Sequence, residues 1–436
     1  MEVLYARCCG LDVHKRTVVA CLLTPGAGGK PTKAIRTFGT MTEELLGLAD
    51  WLAAAGCTHV ALEATGVYWQ PIWNLLEDRF SLLLANARHI KAVPGRKTDV
   101  RDCEWIADLL RHGLLQGSVV PARPQRELRE LTRYRTALVE ERSAEVNRLQ
   151  KTLEGANIKL AAVATDTMGK SGRAMLDALV AGSAPPAAMA ELARGRMREK
   201  IPQLEQALTG RFAAHQRFLV ARQLAHIDAL DALITEVSDE IDARLRAADD
   251  AVATAGEPDA ASAGPTGGPP TRPFEDAIAR LDTIPGVARR TAEIVVAELG
   301  LDLTRFPTPG HLASWAGMCP GNHESAGKRQ SGKTRKGNRA LRAALVEAAQ
   351  AAGRSKRTYL GAQFRRLAAR RGKKKAAVAV GHSILTIVYH LLTEGGRYQD
   401  LGPLYFDERD RQRVERRLVH RLEALGYSVA LEPAVT

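Results

Sequence analysis

Between Cys9 and about Leu115, short β-rich runs alternate with amphipathic helical ones, and this alternation commits that part of the chain to an α/β fold. The stretch GLDVHKRTVVACLL carries Val13, Thr17, Val18, Val19 and Leu22, residues that favour a strand, and residues 34–38 predict a second. A helix is expected over 42–55, a β run over 59–63, a helix over about 67–78 and a further apolar run over 82–85. Because strands precede the first helix, the sheet should be mixed and open with a hairpin, not doubly wound and parallel.

The pattern changes after Pro124. Leu131, Leu138, Val146, Leu149 and Leu153 recur at helical spacing in an Arg- and Glu-rich segment, and predict one long helix. A second stripe, from Ile201, Leu204 and Leu208 to Leu230, Leu233, Ile234, Val237, Ile241 and Leu245, predicts another over about 197–247. The two could join subunits as a coiled coil or fold back on each other as a hairpin within one chain. Residues 250–273 are Ala-, Gly-, Ser- and Pro-rich and read as a linker. The expected organisation is an α/β domain over 1–120, a coiled-coil region over 121–250, a linker over 251–273, a mostly α domain over 274–405 and a polar tail over 406–436.

Lysine plus arginine number 62 against 49 aspartate plus glutamate, a formal charge of +13 that favours a polyanion such as nucleic acid. The six cysteines fall in no CxxC pair and have no histidine at metal-ligand spacing, so they read as buried thiols. The N-terminus lacks the pattern of a signal peptide and no run of about 18 apolar residues is evident, which makes a cytoplasmic protein without a membrane partner the expectation.

Carboxylates mark the first candidate site. Asp12 falls in the first strand, Glu63 ends a later one, and Asp99 and Asp102 sit three residues apart where KTDVRDCEWIADLL begins a helix, hence on one helical face. In an RNase H-like sheet the first strand lies beside the one bearing the second acid and a later helix crosses both, so the four acids could converge. Two unit charges 4 Å apart repel by about 4 kcal/mol at an effective dielectric near 20, and Mg²⁺ with oxygen ligands, as one ion or two, would relieve that repulsion. Lys97 and Arg101, like Arg96, would suit a phosphate backbone; Asp108 is a substitute acid, and Asp99 taken alone reads more simply as a helix N-cap.

The second candidate site lies near the C-terminus. LDTIPGVARRTAEIVVAELG has the form of a helix-hairpin-helix element whose Gly286 permits close backbone approach. Beyond it, GNHESAGKRQSGKTRKGNRALRAAL combines small residues with Lys328, Arg329, Lys333, Arg335, Lys336, Arg339 and Arg342, a cradle for phosphate. From its chemistry alone, Ser325 could be a nucleophile or an ordinary hydrogen-bonding loop residue, since only His323 and Glu324 beside it could serve as a base.

GLDVHKRTVVACLL, LEATGVYWQPIWNLLED and NARHIKAVPGRKTDVRDCEWIADLLRHGLL resemble the N-terminal motifs of the DEDD transposases, the insertion-sequence-110 family. The segment over 275–400 is similar to the C-terminal domain of the same family. The resemblance implies a RuvC-like first domain whose Asp12, Glu63, Asp99 and Asp102 form a catalytic Mg²⁺-binding tetrad. It also implies a catalytic serine that attacks DNA, best matched by Ser325, with Ser331 the competing position. The implied activity is Mg²⁺-dependent cleavage, exchange and rejoining of donor and target DNA, the acids of one subunit and the serine of another acting in a dimer or dimer of dimers. The implied partner is a structured non-coding guide RNA, the bridge RNA, whose base pairing selects the sites. A junction resolvase or nuclease using the acids alone, and a non-catalytic nucleic-acid-binding protein, are the alternatives.

Overall fold

The computed structural model describes residues 2–26, 30–64, 66–85, 102–182, 184–255, 272–321 and 323–432, with the backbone alone at 253–255, 323, 324 and 329–331. The chain divides into two compact units, Met1–Ala122 and Arg123–Thr436.

The first unit is built on a six-stranded mixed sheet. Its elements are β1 (Cys8–Val13), β2 (Thr17–Pro25), β3 (Pro31–Gly39), α1 (Thr42–Ala54), β4 (His59–Glu63), α2 (Trp69–Leu76), β5 (Ser81–Ala85), α3 (Asp102–Arg111) and the short β6 (Gly117–Ser118). The strand order is β3-β2-β1-β4-β5-β6. The run from Gly10 to Leu23, in which β propensity is nearly continuous, divides at His14–Arg16 into two antiparallel strands. β3 continues that meander, β4 and β5 run parallel to β1, and β6 is antiparallel to β5. Alternation along each strand sends side chains to two cores. Cys9, Leu11, Val60 and Leu62 face α1 and α2, whereas Cys8, Ala61 and Ala85 face Cys103, Ile106, Ala107 and Leu110 of α3.

The second unit begins with α4 (Arg123–Gly155). Four short helices follow, α5 (Leu160–Val163), α6 (Lys170–Ala181), α7 (Pro186–Ala190) and α8 (Ile201–Leu208), and then α9 (Ala214–Ala255). α4 and α9 pair antiparallel within the chain: Leu149 and Leu153 share a core with Val220, Leu224 and Ile227, Leu138 with Leu230 and Ile234, and Leu128 with Ile241 and Leu245. Ion pairs Arg142–Asp231 and Glu127–Arg244, and the approach of His226 to Glu145, fix the same register. The stripe expected to be continuous from residue 197 is interrupted at 209–213. Gly210 turns there against Ala156 and Ile158, leaving Ile201, Leu204 and Leu208 in a small helical cap at the end of the α4–α9 pair. Leu233, assigned to the buried stripe, is exposed.

The remaining elements are α10 (Pro273–Asp282), α11 (Arg289–Leu299), α12 (Pro309–Trp315), β7 (His323–Ser325), β8 (Lys328–Ser331), α13 (Arg339–Arg354), α14 (Tyr359–Arg371), α15 (Lys373–Thr393), α16 (Tyr405–Arg409) and α17 (Arg411–Glu423). Leu128 of α4 and Ile241 and Leu245 of α9 enter the core that α10 to α15 share, so the long helices and the C-terminal helices form one body. The segment read as a linker is helical as far as Ala255, with 256–271 outside the described residues. The polar tail is helical over α16 and α17. Among the described residues one helix, α15, has the length and composition to cross a membrane, although His382, Ser383 and Thr386 interrupt its apolar run. Its Ala376, Val380, Ile384, Leu385 and Val388 are buried, which makes it the central helix of this core.

Candidate active site

β1 and β4 pair in parallel from Cys8–His59 to Leu11–Leu62, and the next residue on each strand is a carboxylate, Asp12 and Glu63. Leu11 and Leu62 both point to the α1–α2 side, so alternation turns Asp12 and Glu63 to the opposite face, the one that α3 covers. Neighbouring strands are about 4.8 Å apart, which brings the two acids to one level on adjacent strands.

Gly10 decides how α3 crosses this face. A Cβ at Gly10 would lie 3.0 Å from Ala107 Cα and closer still to the carbonyl oxygen of Cys103 and the amide of Ala107, so only glycine lets the helix backbone rest on β1. The helix runs antiparallel to the strand. Cys103 sits toward Asp12, which adds to burial in raising its thiol pKa. At the far end Cys8 Sγ lies 3.7 Å from Ala107 O, and its thiol, pushed up to about 11 by burial, is also influenced by Arg111 and Asp108. Asp102, the first residue of α3, therefore belongs to the Asp12 end, while the substitute Asp108 belongs to the Cys8 end and approaches His112 at 3.8 Å.

Asp99, together with Arg96, Lys97 and Arg101, lies outside the described residues. Among the described residues no group of three or more His, Cys, Asp or Glu side chains is gathered tightly enough to hold a metal ion. The donor chemistry nonetheless suits a hard cation, since Asp12, Glu63 and Asp102 offer only carboxylate oxygens. The sequence reading missed two neighbours. His14 Nε2, in the turn just after β1, lies 3.2 Å from Asp12 Oδ2, with Asp12 21% and His14 58% exposed. Glu104 is held by Lys33 at 3.4 Å.

The expected serine loop is a β-hairpin. Ser325 and Lys328 are the last pair before a two-residue turn in which Ala326 (φ 50°) and Gly327 (φ 72°) are both left-handed, as a tight hairpin requires. Ser325 and Lys328 are exposed at its tip. Ser331 pairs with His323 at the other end of the hairpin, beyond a bulge. At the base, Gly317 and Gly337 press together so closely that a Cβ at Gly317 would meet Gly337 N and Arg335 O at 2.8 Å. Lys328, Lys333, Arg335, Lys336 and Arg339 are exposed, and Arg342 is half-buried with Nη1 3.5 Å from Gly317 O. Lys328, Arg335, Lys336 and Arg339 make no ion pair among the described residues, whereas of Arg329 only the backbone is described.

A buried ion network anchors this segment, and nothing in the sequence pattern singled it out. Glu298, near the end of α11, is fully buried. It accepts hydrogen bonds from Arg133 Nε (2.6 Å) and Nη2 (2.9 Å) and from Asn338 Nδ2 (2.6 Å), and Arg129 Nε lies 3.5 Å away. Asn338 also caps α13, its Oδ1 accepting from Leu341 N at 3.1 Å. Burial pulls the Arg129 guanidinium down to about 10 against the opposing pull of Glu298. One turn earlier Arg135 and Glu293, both almost fully buried, meet at 2.7 Å.

The turn at Pro285–Gly286 joins α10 and α11 as expected, and Gly286 has φ 92°. Its close approach is made to protein: a Cβ there would lie 2.7 Å from Ala352 N and closer to Ala348 O, both in α13. The close approach that this glycine permits is thus to α13 of the same unit.

Comparison with known proteins gives an outside view of both regions. Residues 9–158 match the family model of the IS110 DEDD transposases, and residues 278–365 match that of the transposase IS116/IS110/IS902 family. The chain is 34% identical over 130 residues to the insertion element IS110 uncharacterized 43.6 kDa protein of Streptomyces coelicolor, covering 28% of this chain and 30% of that protein. It is 32% identical over 124 residues to the transposase for insertion sequence element IS1111A of Coxiella burnetii, covering 28% and 34%. These matches span about a third of the relatives' length.

Proposed function

Because the chain belongs to the IS110 family of transposases, we propose that it cleaves, exchanges and rejoins DNA strands of an insertion sequence, using the acids of its N-terminal sheet and the serine of its C-terminal hairpin. The observation that carries this reading is the arrangement of Asp12 and Glu63 at one level on adjacent parallel strands, on the face that Gly10 opens to the first turn of α3. The strand order, with β1 beside the strand that bears the second acid, supports an RNase H-like, RuvC-like domain.

Asp12, Glu63 and Asp102, with Asp99, are the residues that would hold Mg²⁺. When bound, the ion supplies charge compensation for a phosphodiester and for the oxygens that attack and leave it. The exposed Lys328, Arg335, Lys336 and Arg339 grip the flanking phosphates. Ser325 Oγ gives up its proton and bonds to phosphorus as the bond to the leaving sugar oxygen breaks; that oxygen takes up a proton. A freed hydroxyl later displaces Ser325 and restores the phosphodiester, so no external energy source is needed. A structured non-coding RNA that pairs with both DNAs supplies the choice of site, and the protein works as a dimer or dimer of dimers.

The test is circle formation by Asp12→Ala, Ser325→Ala and Ser331→Ala proteins, with trapping of a covalent protein–DNA adduct. Asp12→Ala and Ser325→Ala should lose circles while still binding DNA, and Ser325→Ala should form no adduct. An active Ser325→Ala protein leaves a resolvase or nuclease that uses the acids alone, while an inactive Ser331→Ala protein beside it moves the nucleophile to Ser331. An active Asp12→Ala protein removes the acidic site from the chemistry.

A further inference from the structure

We propose that the cleft between α14 and α17, most of whose lining lies beyond residue 365 where the family match ends, is a second nucleic-acid site that grips the phosphodiester backbone. The cleft, of about 890 Å³, is lined by Arg365, Arg366, Arg370, Arg413 and Arg417 against only two carboxylates, Asp407 and Asp410. Both carboxylates are already engaged. Arg366 reaches Asp407 and Asp410 at 3.5 Å each, and Arg409 reaches Asp410 at 3.5 Å. Arg365 donates to the carbonyls of Ser355 (2.6 Å) and Lys356 (3.1 Å).

Arg370, Arg413 and Arg417 are left exposed, with no ion pair among the described residues, and they converge from two different helices. Three like charges around one concavity repel unless an anion with several acceptor oxygens lies between them. Arg371, Lys373, Lys374 and Lys375 extend the positive surface along the exposed turn that joins α14 to α15.

The cleft has the rigidity that a site needs. Phe406 stacks on Tyr359 at 5.1 Å and an interplanar angle of 17°, Tyr405 meets Tyr359 edge-on at 5.2 Å, and Arg366 and Arg409 lie 5.6 Å from the Phe406 ring. These rings are committed to holding α16 against α14 and not to stacking on bases, so the site reads backbone charge and not sequence. A concave, polar, arginine-lined cleft fits a strand or duplex edge better than a flat bilayer. Because Leu418 and Leu422 are exposed on α17, anionic vesicles form one arm of the test.

The test uses the full chain with Arg370, Arg413 and Arg417 all changed to glutamine, and a matching triple lysine variant as a folded, charge-retaining control. Binding to a DNA duplex, to an RNA stem-loop of unrelated sequence and to phosphatidylserine vesicles is measured across a salt series. Each lost phosphate contact lowers the slope of log K against log salt by about 0.9 on duplex and about 0.7 on single strands. The glutamine triple should therefore flatten the slope by roughly 2 to 3 and weaken binding on the order of a hundredfold at 0.1 M salt, while the lysine triple keeps the wild-type slope. A larger loss on RNA than on duplex identifies RNA as the occupant, and the reverse identifies DNA. Should the glutamine triple lose helicity, Arg417→Gln alone should still lower the duplex slope by about 0.9. An unchanged slope on both nucleic acids, or a loss confined to vesicles, overturns the proposal. Asp12→Ala should bind with the wild-type slope, so this site stands or falls separately from the catalytic reading.

Discussion

Replacing Glu298 by alanine probes the buried network that ties α11 and the N-cap of α13 to the long helix α4. The carboxylate is 0% exposed and serves Arg133, Arg129 and Asn338 together. Its removal leaves Arg129, 13% exposed, without its countercharge, although Arg129 still donates to the carbonyls of Ala297 and Glu298 at the end of α11. Breaking a buried pair from one side costs about 3–5 kcal/mol, and losing the Asn338 bond adds about 1 kcal/mol. Arg133, 52% exposed, swings into water and recovers part of this, so a net loss of about 3–5 kcal/mol is expected. Arg133→Ala should cost less, about 1–2 kcal/mol, because Glu298 keeps Arg129 and Asn338. Urea unfolding, followed on the transition of the helical unit, measures both changes, and the double variant should fall short of their sum by at least about 1 kcal/mol. A Glu298→Ala loss under about 1 kcal/mol, or strict additivity, would refute the network.

Gly10→Ala should destabilise the first unit by about 1–3 kcal/mol and lower strand exchange, because α3 must lift from β1 and take Asp102 with it; calorimetry beside the circle assay checks both. Ala326→Gly should stabilise the hairpin by up to about 1 kcal/mol by relieving a left-handed alanine, read as slower tryptic cleavage at Lys328. Thiol titration of the folded protein should find one fast thiol, Cys319, since Cys8, Cys9, Cys21, Cys57 and Cys103 are buried with raised pKa values. The same thiols set a pH dependence. Cys8 is pushed up to about 11 and Cys21 and Cys57 to about 12 from an ordinary 9.0, so above pH 9 the unfolded chain loses protons first. The stability of the first unit should accordingly be full below pH 9 and fall as pH rises toward 11–12, as chemical denaturation across that range would read.

The N-terminal elements were legible because their signals are local. Strand β4 is a short apolar run, Val60 to Leu62, bounded by His59 and Glu63 as expected, α1 fits its predicted span to one residue, and Asp12, Glu63 and Asp102 could be set on two strands and a helix start from the order of elements alone. Chain order also anticipated two long helices, since a heptad-like stripe needs only nearby residues to be visible. What one stripe would pack against depended on residues about a hundred positions away. Only the folded chain shows that α4 and α9 close on each other, that Gly210 breaks the second stripe, and that Leu128 joins the C-terminal core.

The serine segment read as a loop because hairpin pairing is a property of two strands and a turn, and here the turn relies on an alanine forced into a left-handed conformation. The carboxylate at Glu298 is one of only two on α11, and no spacing in the sequence marks it out. Its meaning came from burial and from arginines 165 or more residues earlier, which local sequence does not encode. Composition and periodicity thus fixed the kinds of elements and the charge that favours a polyanion. Tertiary packing decided which acids share a face, which glycine admits a helix or a helix turn, and which arginines remain unpaired to meet a phosphate, because each depends on distances between residues that the chain itself keeps far apart.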